Sequence, residues 1–285
     1  MNIHHRQTLL FGEKGQAKIR RAKIAIVGAG GLGSNLMQLL ARLGVVELVI
    51  IDNDFIEESN LNRFSFAEKS DIGKPKVEVL KSKLEKIFQG IKVTAVNKSI
   101  MEHSALMLIR DVDFIFCSVD RESARLVMNV FSNAFMIPLI DCASEIFSDE
   151  NCNIEAMAGQ VRIVIPGNDY ACLQCSGEGI DLNRARYELS NPEEKQREIR
   201  TGYVKDVPNP SVITLNMNIA TLAVTEWFCM VTGLRKPNAY IYTNMMDGNV
   251  ITRILKEDKN PNCISCSEDS EIFASGDKIF STGII

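Results

Sequence analysis

The chain has 285 residues, of which 46% are hydrophobic and 24% are charged, as in ordinary globular proteins of one large or two small domains. The net charge of −4 excludes the broad basic field that a nucleic-acid-binding or anionic-membrane surface requires, so any phosphate site must be built locally. The N-terminus lacks the basic-then-apolar order of a signal peptide. We therefore expect a cytoplasmic protein that binds neither nucleic acid nor a membrane.

The first half of the chain alternates short apolar runs with helical patterns. Residues 76–88 place their apolar side chains on one helical face, opposite lysines and glutamates. The predicted strands are Lys23–Val27, Glu47–Ile51, Lys92–Val96, 113–117 and 137–142. Strands separated by helices predict an α/β fold with a Rossmann-like sheet, parallel in the N-terminal half and with helices on both faces.

The second half contains further predicted strands at 160–165, 240–243 and 249–255. Residues 181–200 are strongly charged, and we expect them to be exposed or mobile. Residues 211–231 predict a buried helix, because Asn216, Asn218 and Glu226 would be costly in lipid. No linker is evident, so we expect a single domain over 1–285, with a nucleotide-binding half at 1–150 and a second half at 151–285.

A glycine loop joins the first predicted strand to a helix. Its glycines are Gly28, Gly30, Gly31 and Gly33, and this strand–loop–helix setting is typical of phosphate binding at a helix N-terminus. Asp52 ends the next strand, where a carboxylate accepts hydrogen bonds from ribose hydroxyls. The loop alone does not choose between NAD and ATP.

Two cations and a carboxylate extend this pattern. Arg63 follows the polar run after Asp52, and Lys76 begins the next helix; together they suit the extra charge of ATP and its pyrophosphate better than a dinucleotide. The alternative is that these cations lie in a solvated loop and at a lysine-rich helix start and bind no ligand. We prefer that interpretation only for Lys74. Asp120 follows a predicted strand at the carboxyl end of the sheet, where it would carry Mg²⁺, or cap the following helix, or both.

Four of the eight cysteines form two CxxC pairs. Cys172, Cys175, Cys263 and Cys266 predict a four-thiolate zinc site that pins a C-terminal extension to the middle of the domain. Two redox-active motifs are the weaker alternative, because neither pair has a thioredoxin-like setting.

At this point the sequence resembles the ThiF/MoeB/HesA family of ubiquitin-activating-enzyme-like adenylyltransferases over nearly its whole length. The matching features are Arg6-Gln7, Phe11-Gly12 and Gly15-Gln16; residues 25–34; Asp52 to Arg63; residues 73–76; Asp120; both CxxC pairs; and residues 210–216.

The resemblance implies ATP-dependent adenylation of the C-terminal glycine carboxylate of a ubiquitin-like or sulfur-carrier protein, which would dock on residues 151–285. Asn60, Arg63 and Lys76 would contact the phosphates, and Asp120 would bind magnesium and be needed for catalysis. Arg6 would reach into the neighbouring subunit of a homodimer as an arginine finger. Other acceptors, a small peptide or a tRNA-linked carboxylate, stay open, as do an NAD-dependent oxidoreductase and a non-catalytic scaffold.

A thioester step, with a conjugating enzyme as a further partner in a bacterial conjugation pathway, is less well supported than adenylation. Residues 176–227 contain no cysteine, although this is where family members generally carry a reactive one. We interpret Cys117, Cys142 and Cys229 as packing residues and leave Cys152 as a weak candidate. His4 and His5 beside Arg6 are expected in a flexible terminal segment and would contribute at most to the site in the neighbouring subunit.

Overall fold

The structure is a computed structural model that describes residues 3–149, 153–175, 177, 179–190, 210–246, 251–283 and 285. The chain divides into two compact units. The first comprises Met1–Ser118 and Asn216–Asn238, and the second comprises Val119–Leu215 and Ala239–Ile285. Each unit therefore combines two separate stretches of sequence, and the single domain over 1–285 stays a prediction.

The first unit is built on a parallel sheet of four strands in the order β3-β2-β1-β4. The strands are β1 (Lys23–Val27), β2 (Glu47–Ile51), β3 (Lys92–Val96) and β4 (Phe114–Cys117). The helices are α1 (His5–Arg21), α2 (Gly31–Leu43), α3 (Lys76–Ile87), α4 (His103–Leu106) and α7 (Ile213–Thr232), the last from Asn216 onward. This Rossmann-like α/β arrangement confirms the predicted fold class.

The central strands are apolar because both of their faces are covered. Four consecutive residues are buried in β1 and in β2, and consecutive residues of a strand point to opposite faces. Trp227 of α7 is fully buried and meets the rings of Phe114 and Phe116 edge-on, at centroid distances of 6.0 and 6.3 Å. The late helix thus completes the core of a sheet made by the first 118 residues.

The N-terminal segment is helical, so the expectation of a flexible terminus around His4 and His5 is wrong. Helix α1 kinks at Gly12, whose φ is +72°. The amides of Gln7 and Gln16 donate to the carbonyl of Leu43, at 2.7 and 2.9 Å, where α2 ends. These long-range hydrogen bonds, which no local pattern reveals, order the segment.

The second unit contains an antiparallel run of strands in the order β5-β6-β7-β8. They are β5 (Leu139–Ser148), β6 (Ile154–Val164), β7 (Tyr240–Asn244) and β8 (Ile251–Leu255). The predictions at 137–142 and 160–165 covered only part of β5 and β6. The outer parts of this hairpin are half-exposed and lack an apolar alternation, so cross-strand backbone pairing defines them more than burial does.

Helices α5 (Glu122–Phe135) and α6 (Leu182–Ser190) also belong to the second unit. The prediction of an exposed segment at 181–200 agrees with most of α6, in which only Ala185 and Glu188 are buried; residues 191–200 lie outside the described part of the chain. A C-terminal 3₁₀ turn, Gly276–Ser281, packs Ile279 with Ile272 against α5. Among the described residues, none of the helices combines the length and apolar character needed to cross a membrane.

Candidate functional site

The glycine loop turns sharply between β1 and α2. Gly28 has a φ of +93°, and its N–H donates to the carbonyl of Ile51 at 2.9 Å. Its own carbonyl accepts from the Ser118 hydroxyl at 2.8 Å. A Cβ on Gly33 would lie 2.0 Å from that carbonyl oxygen, so the helix can approach the turn only with glycine at 33.

The N-terminus of α2 is the part of the loop that suits an anion. Gly30 is the N-cap residue, and no side chain caps this end of the helix. A Cβ on Gly30 would meet nothing within 4 Å. The first N–H groups of a helix have no partner within it, and they carry the positive end of its dipole. An N-terminus without a side-chain cap is chemically suited to bind a phosphate.

Asp52 holds the loop in place. Its Oδ2 accepts from the N–H of Ala29 at 2.6 Å, and its Oδ1 accepts from the N–H of Asp54 at 2.8 Å. Burial raises the pKa of this carboxyl, whereas the charge of Lys76 and the two backbone hydrogen bonds oppose the rise. A carboxylate has about four acceptor positions, so these two contacts are compatible with the predicted hydrogen bonds to ribose.

Lys76 lies at the start of α3 and is paired within the protein. Its Nζ is 2.8 Å from Oδ2 of Asp54, and its side chain is only 11% exposed. Its backbone N–H also donates to the carbonyl of Asp54 at 3.0 Å. Asp54 therefore joins the two predicted ligand residues, Asp52 and Lys76. No role for Asp54 is predicted from the sequence, although its position two residues after Asp52 is a signal for one.

Asn60 and Arg63 lie on the loop that follows β2. The Asn60 side-chain carbonyl accepts from the N–H of Glu57 at 3.2 Å and closes a 3₁₀ turn, Glu58–Asn60. The guanidinium of Arg63 donates to the carbonyl of Ser59 at 2.6 Å and to the side chain of Asn62 at 3.1 Å. Burial lowers the pKa of Arg63, but arginine stays charged in proteins, so the loop carries a half-buried cation.

A small buried network ties this loop to α2. The Ser34 hydroxyl accepts from the N–H of Ser65 at 3.0 Å, and the Ser65 hydroxyl donates to Asn35 at 2.7 Å. The amide of Asn35 also donates to the carbonyl of Gly31 at 2.7 Å. This network fixes the distance between the glycine loop and the segment of Arg63. Sequence reasoning missed it, because short polar residues at the start of a helix read as ordinary helix formers.

The structure thus brings together five predicted elements of the nucleotide site in the first unit: the glycine loop, Asp52, Asn60, Arg63 and Lys76. Arg6 is exposed in the first turn of α1. Asp120 belongs to the second unit, where it is exposed directly before α5.

The alternative role of Asp120 as a helix cap is wrong. The N-cap residue of α5 is Arg121, and no side chain of the cap position makes a cap hydrogen bond. A residue of α6 performs the task instead. Oε2 of Glu188 accepts from both the N–H and the hydroxyl of Ser123, each at 2.7 Å. A cap supplied from 65 residues away in sequence leaves no local signal.

The four predicted zinc ligands converge in the second unit. The Sγ atoms of Cys172, Cys175, Cys263 and Cys266 all lie within 4.8 Å of one another, and the distances from Cys172 to Cys263 and from Cys175 to Cys266 are 3.5 and 3.4 Å. Four sulfurs about 2.3 Å from a tetrahedral zinc ion would lie about 3.8 Å apart. The donor set and spacing therefore fit zinc.

Surrounding groups orient these ligands. Asn129 of α5 is fully buried, and its amide donates to Sγ of Cys172 at 3.7 Å while its carbonyl accepts from the N–H of Leu173 at 2.9 Å. The side chain of Gln174 accepts from Asn129 and from Ser265, which links the two CxxC segments. Hydrogen bonds that orient the ligands in this way are typical of metal sites.

The remaining cysteines agree with the interpretation as packing residues. Cys117, Cys142 and Cys229 are buried, and burial raises the pKa of the Cys229 thiol. Cys152, the weak candidate for an acyl acceptor, lies outside the described residues.

Comparison with known sequences gives one family. The model of the ThiF family matches residues 4–265. The sulfur carrier protein adenylyltransferase of Thermus thermophilus is 32% identical over 131 residues, which are 45% of this chain and 48% of that protein. The molybdopterin-synthase adenylyltransferase of Salmonella typhimurium is 30% identical over 174 residues, 60% of this chain and 66% of that protein. The chain thus spans about half of the first relative and just under two thirds of the second.

A eukaryotic relative and a solved structure are also similar. The NEDD8-activating enzyme E1 catalytic subunit of Caenorhabditis elegans is 26% identical, with 87% of this chain and 70% of that protein covered. The crystal structure of E. coli MccB with ATP has a TM-score of 0.72, with 94% of this chain and 75% of that chain covered. The sequence identity in that superposition is 21%, so the likeness shows a shared fold.

Proposed function

The chain belongs to the ThiF family, and from this we propose that it uses ATP to adenylate a carboxylate, the C-terminal glycine of a ubiquitin-like or sulfur-carrier protein. The observation that carries the proposal is the uncapped N-terminus of α2, which lies in one compact unit with Asp52, Arg63 and Lys76. A helix N-terminus with two nearby cations and a ribose-binding carboxylate suits a nucleoside triphosphate.

The names of the relatives support this acceptor. Two are adenylyltransferases of a sulfur carrier protein and of molybdopterin synthase, and a third is the catalytic subunit of an activating enzyme for NEDD8. We propose by the same similarity that residues 151–285 dock the acceptor. A homodimer in which Arg6 reaches the partner's site, and a cytoplasmic location, belong to the proposal as well.

The reaction joins an acceptor carboxylate oxygen to the α-phosphorus of ATP while the bond from that phosphorus to the bridging oxygen breaks and pyrophosphate leaves. A carboxylate is already ionised at neutral pH, so the site has no proton to remove. Its task is to position two anions and to stabilise the charge that develops on the phosphates. Arg63 and Lys76 would supply that charge, and Lys76 would exchange Asp54 for a phosphate oxygen.

Two metals complete the proposal. Asp120 would hold Mg²⁺ against the phosphates, since carboxylate oxygens are its preferred protein ligands. Zinc would be bound by Cys172, Cys175, Cys263 and Cys266 in a purely structural role, because four thiolates leave no open position for water or substrate. A later thioester step would need a nucleophile, and the described cysteines outside the zinc site are buried.

The test is ATP–pyrophosphate exchange with candidate acceptors that end in Gly-Gly. We expect exchange that depends on the acceptor and falls by at least about 100-fold in Asp120→Ala, the scale expected when a group that stabilises charge is lost. Asp111→Ala, at another exposed aspartate, is the matched control and should exchange like the wild type. A lack of exchange with every candidate, together with clear NAD binding, would overturn the proposal in favour of an oxidoreductase.

A further inference from the structure

Two side chains crowd Gly31, the first residue of α2. A Cβ built on Gly31 would lie 2.6 Å from Nδ2 of Asn216 and 3.1 and 3.2 Å from Cγ and Cδ of Arg63. Gly31 does not have a positive φ, so its backbone does not require glycine. The need for glycine at this position comes from what lies beside it, and the nearest group is the amide of Asn216.

The direction of this contact places the amide beside the free N–H groups of the helix. In an α-helix every Cα–Cβ bond tilts toward the N-terminus. A group close to the Cβ position of the first residue therefore flanks the N-terminal end, where a phosphate would sit. Asn216 belongs to α7 and is only 3% exposed, so the protein has placed a buried polar side chain at this end of α2.

Arg63 does not fill the same role. Its stem passes Gly31, but its guanidinium donates to Ser59 and Asn62. At the Cβ position of Gly31, the nearest donor group is therefore a neutral amide rather than the cation. The amide nitrogen of asparagine carries two N–H donors, so a contact inside the protein is compatible with a contact to a phosphate oxygen.

We infer that Asn216 is a further binding residue of the nucleotide site, and that its Nδ2 donates to a phosphate oxygen held at the N-terminus of α2. This inference rests on the proposed function, because it takes a nucleoside triphosphate as the ligand. It explains why a buried asparagine in the first turn of α7 lies beside the glycine loop. It also gives the N-terminus of α2 two kinds of donor, backbone N–H groups and a side-chain amide.

The inference is tested by measuring the affinities for ATP and for adenosine by competition with a fluorescent ATP analogue. In Asn216→Ala we expect the affinity for ATP to fall about 10- to 100-fold, the range for a hydrogen bond to a charged group. The affinity for adenosine should stay within about twofold of wild type, because the lost contact is to phosphate. Asn216→Asp keeps the volume of the side chain but turns a carboxylate toward the phosphates, so its loss for ATP should be larger.

Asn218→Ala is the matched control for Asn216→Ala, since Asn218 is half-buried two residues further along the same helix. It should bind ATP within about twofold of wild type. The inference is overturned if both Asn216 variants bind ATP as the wild type does, or if ATP and adenosine weaken together, which would indicate a structural role. If the wild-type protein itself does not bind ATP, the proposed function fails first, so the two failures are distinguishable.

Discussion

At the scale of single residues, the glycine loop contains a glycine that the fold needs and one whose Cβ position is open. A Cβ on Gly33 would strike the backbone carbonyl of Gly28, whereas a Cβ on Gly30 would meet nothing within 4 Å. The same sequence motif thus contains two different local environments. Only the geometry tells them apart, because each position is simply a glycine in the sequence.

Alanine substitutions at Gly33 and Gly30 should therefore have different effects, the first mainly on stability and the second mainly on ATP binding. We expect Gly33→Ala to lower the free energy of unfolding by more than 2 kcal/mol, about the scale of overpacking against rigid backbone. Gly30→Ala should change it by less than about 0.5 kcal/mol, while weakening ATP binding because its methyl group points into the ligand's space. Urea unfolding and ATP titration of both variants give the two quantities. Equal stability of the two variants would contradict the geometry of the loop.

Asp52, Arg63 and Lys76 were predicted because their charges suit a nucleotide and they follow the glycine loop closely in the chain, and the structure places them in one unit. Ser34, Ser65 and Asn216 carry no such signal, because their contacts are with residues that are distant in sequence. Their partners become visible only when the fold brings the segments together.

At the scale of secondary-structure elements, the strands of the first unit were predictable and those of the hairpin were not. Strands β1, β2 and β3 match their predicted bounds. Burial on both faces makes β1 and β2 short apolar runs, whereas β3 alternates between exposed and buried residues. Strands β5 and β6 extend well past the predictions, since their outer parts pair through the backbone without burying a face. Helix α1 was missed for a related reason, as side-chain amides fasten it to the end of α2.

The contact between α5 and α6 gives a prediction of its own. Glu188 caps the N-terminus of α5 through two hydrogen bonds to Ser123, where a negative charge is favourable to the helix dipole. We expect Glu188→Gln to lower the free energy of unfolding by about 1 to 3 kcal/mol, the range for a hydrogen bond that involves a charged group. Exposed Glu271→Gln is the control and should have a urea midpoint near that of wild type. An unchanged midpoint for Glu188→Gln would show that the cap contributes nothing.

At the scale of the whole molecule, the four cysteines bring together two segments of the second unit that are 91 residues apart in sequence. The CxxC spacing predicted the ligands, and the sulfur positions confirm that they converge. The supporting hydrogen bonds through Asn129, Gln174 and Ser265 could not be predicted, because they join three separate segments. The apolar cluster of Ile272 and Ile279 on α5 holds the same C-terminal segment by a second means.

Removal of the metal should therefore lower the stability of the protein without unfolding all of it. We expect about one zinc ion per chain in the purified protein, and a fall of more than about 10 °C in melting temperature after chelation, because structural zinc contributes directly to folding free energy. Cys175→Ser should lose the metal, whereas Cys229→Ser, at a buried thiol outside the cluster, should keep it. Metal analysis that finds far less than one zinc per chain would refute the four-thiolate site.

The discontinuous make-up of the first unit has a consequence for the order of events during translation. Its core and its glycine loop need residues 216–238, so a nascent chain released from the ribosome only as far as residue 118 still exposes the surface that Trp227 later covers. Domains fold as units during synthesis, and Asn216 reaches Gly31 only late in that process. Cys263 and Cys266 are made later still. The residues of the proposed nucleotide site in the first unit are therefore complete in sequence before the last two of the four clustered cysteines are made.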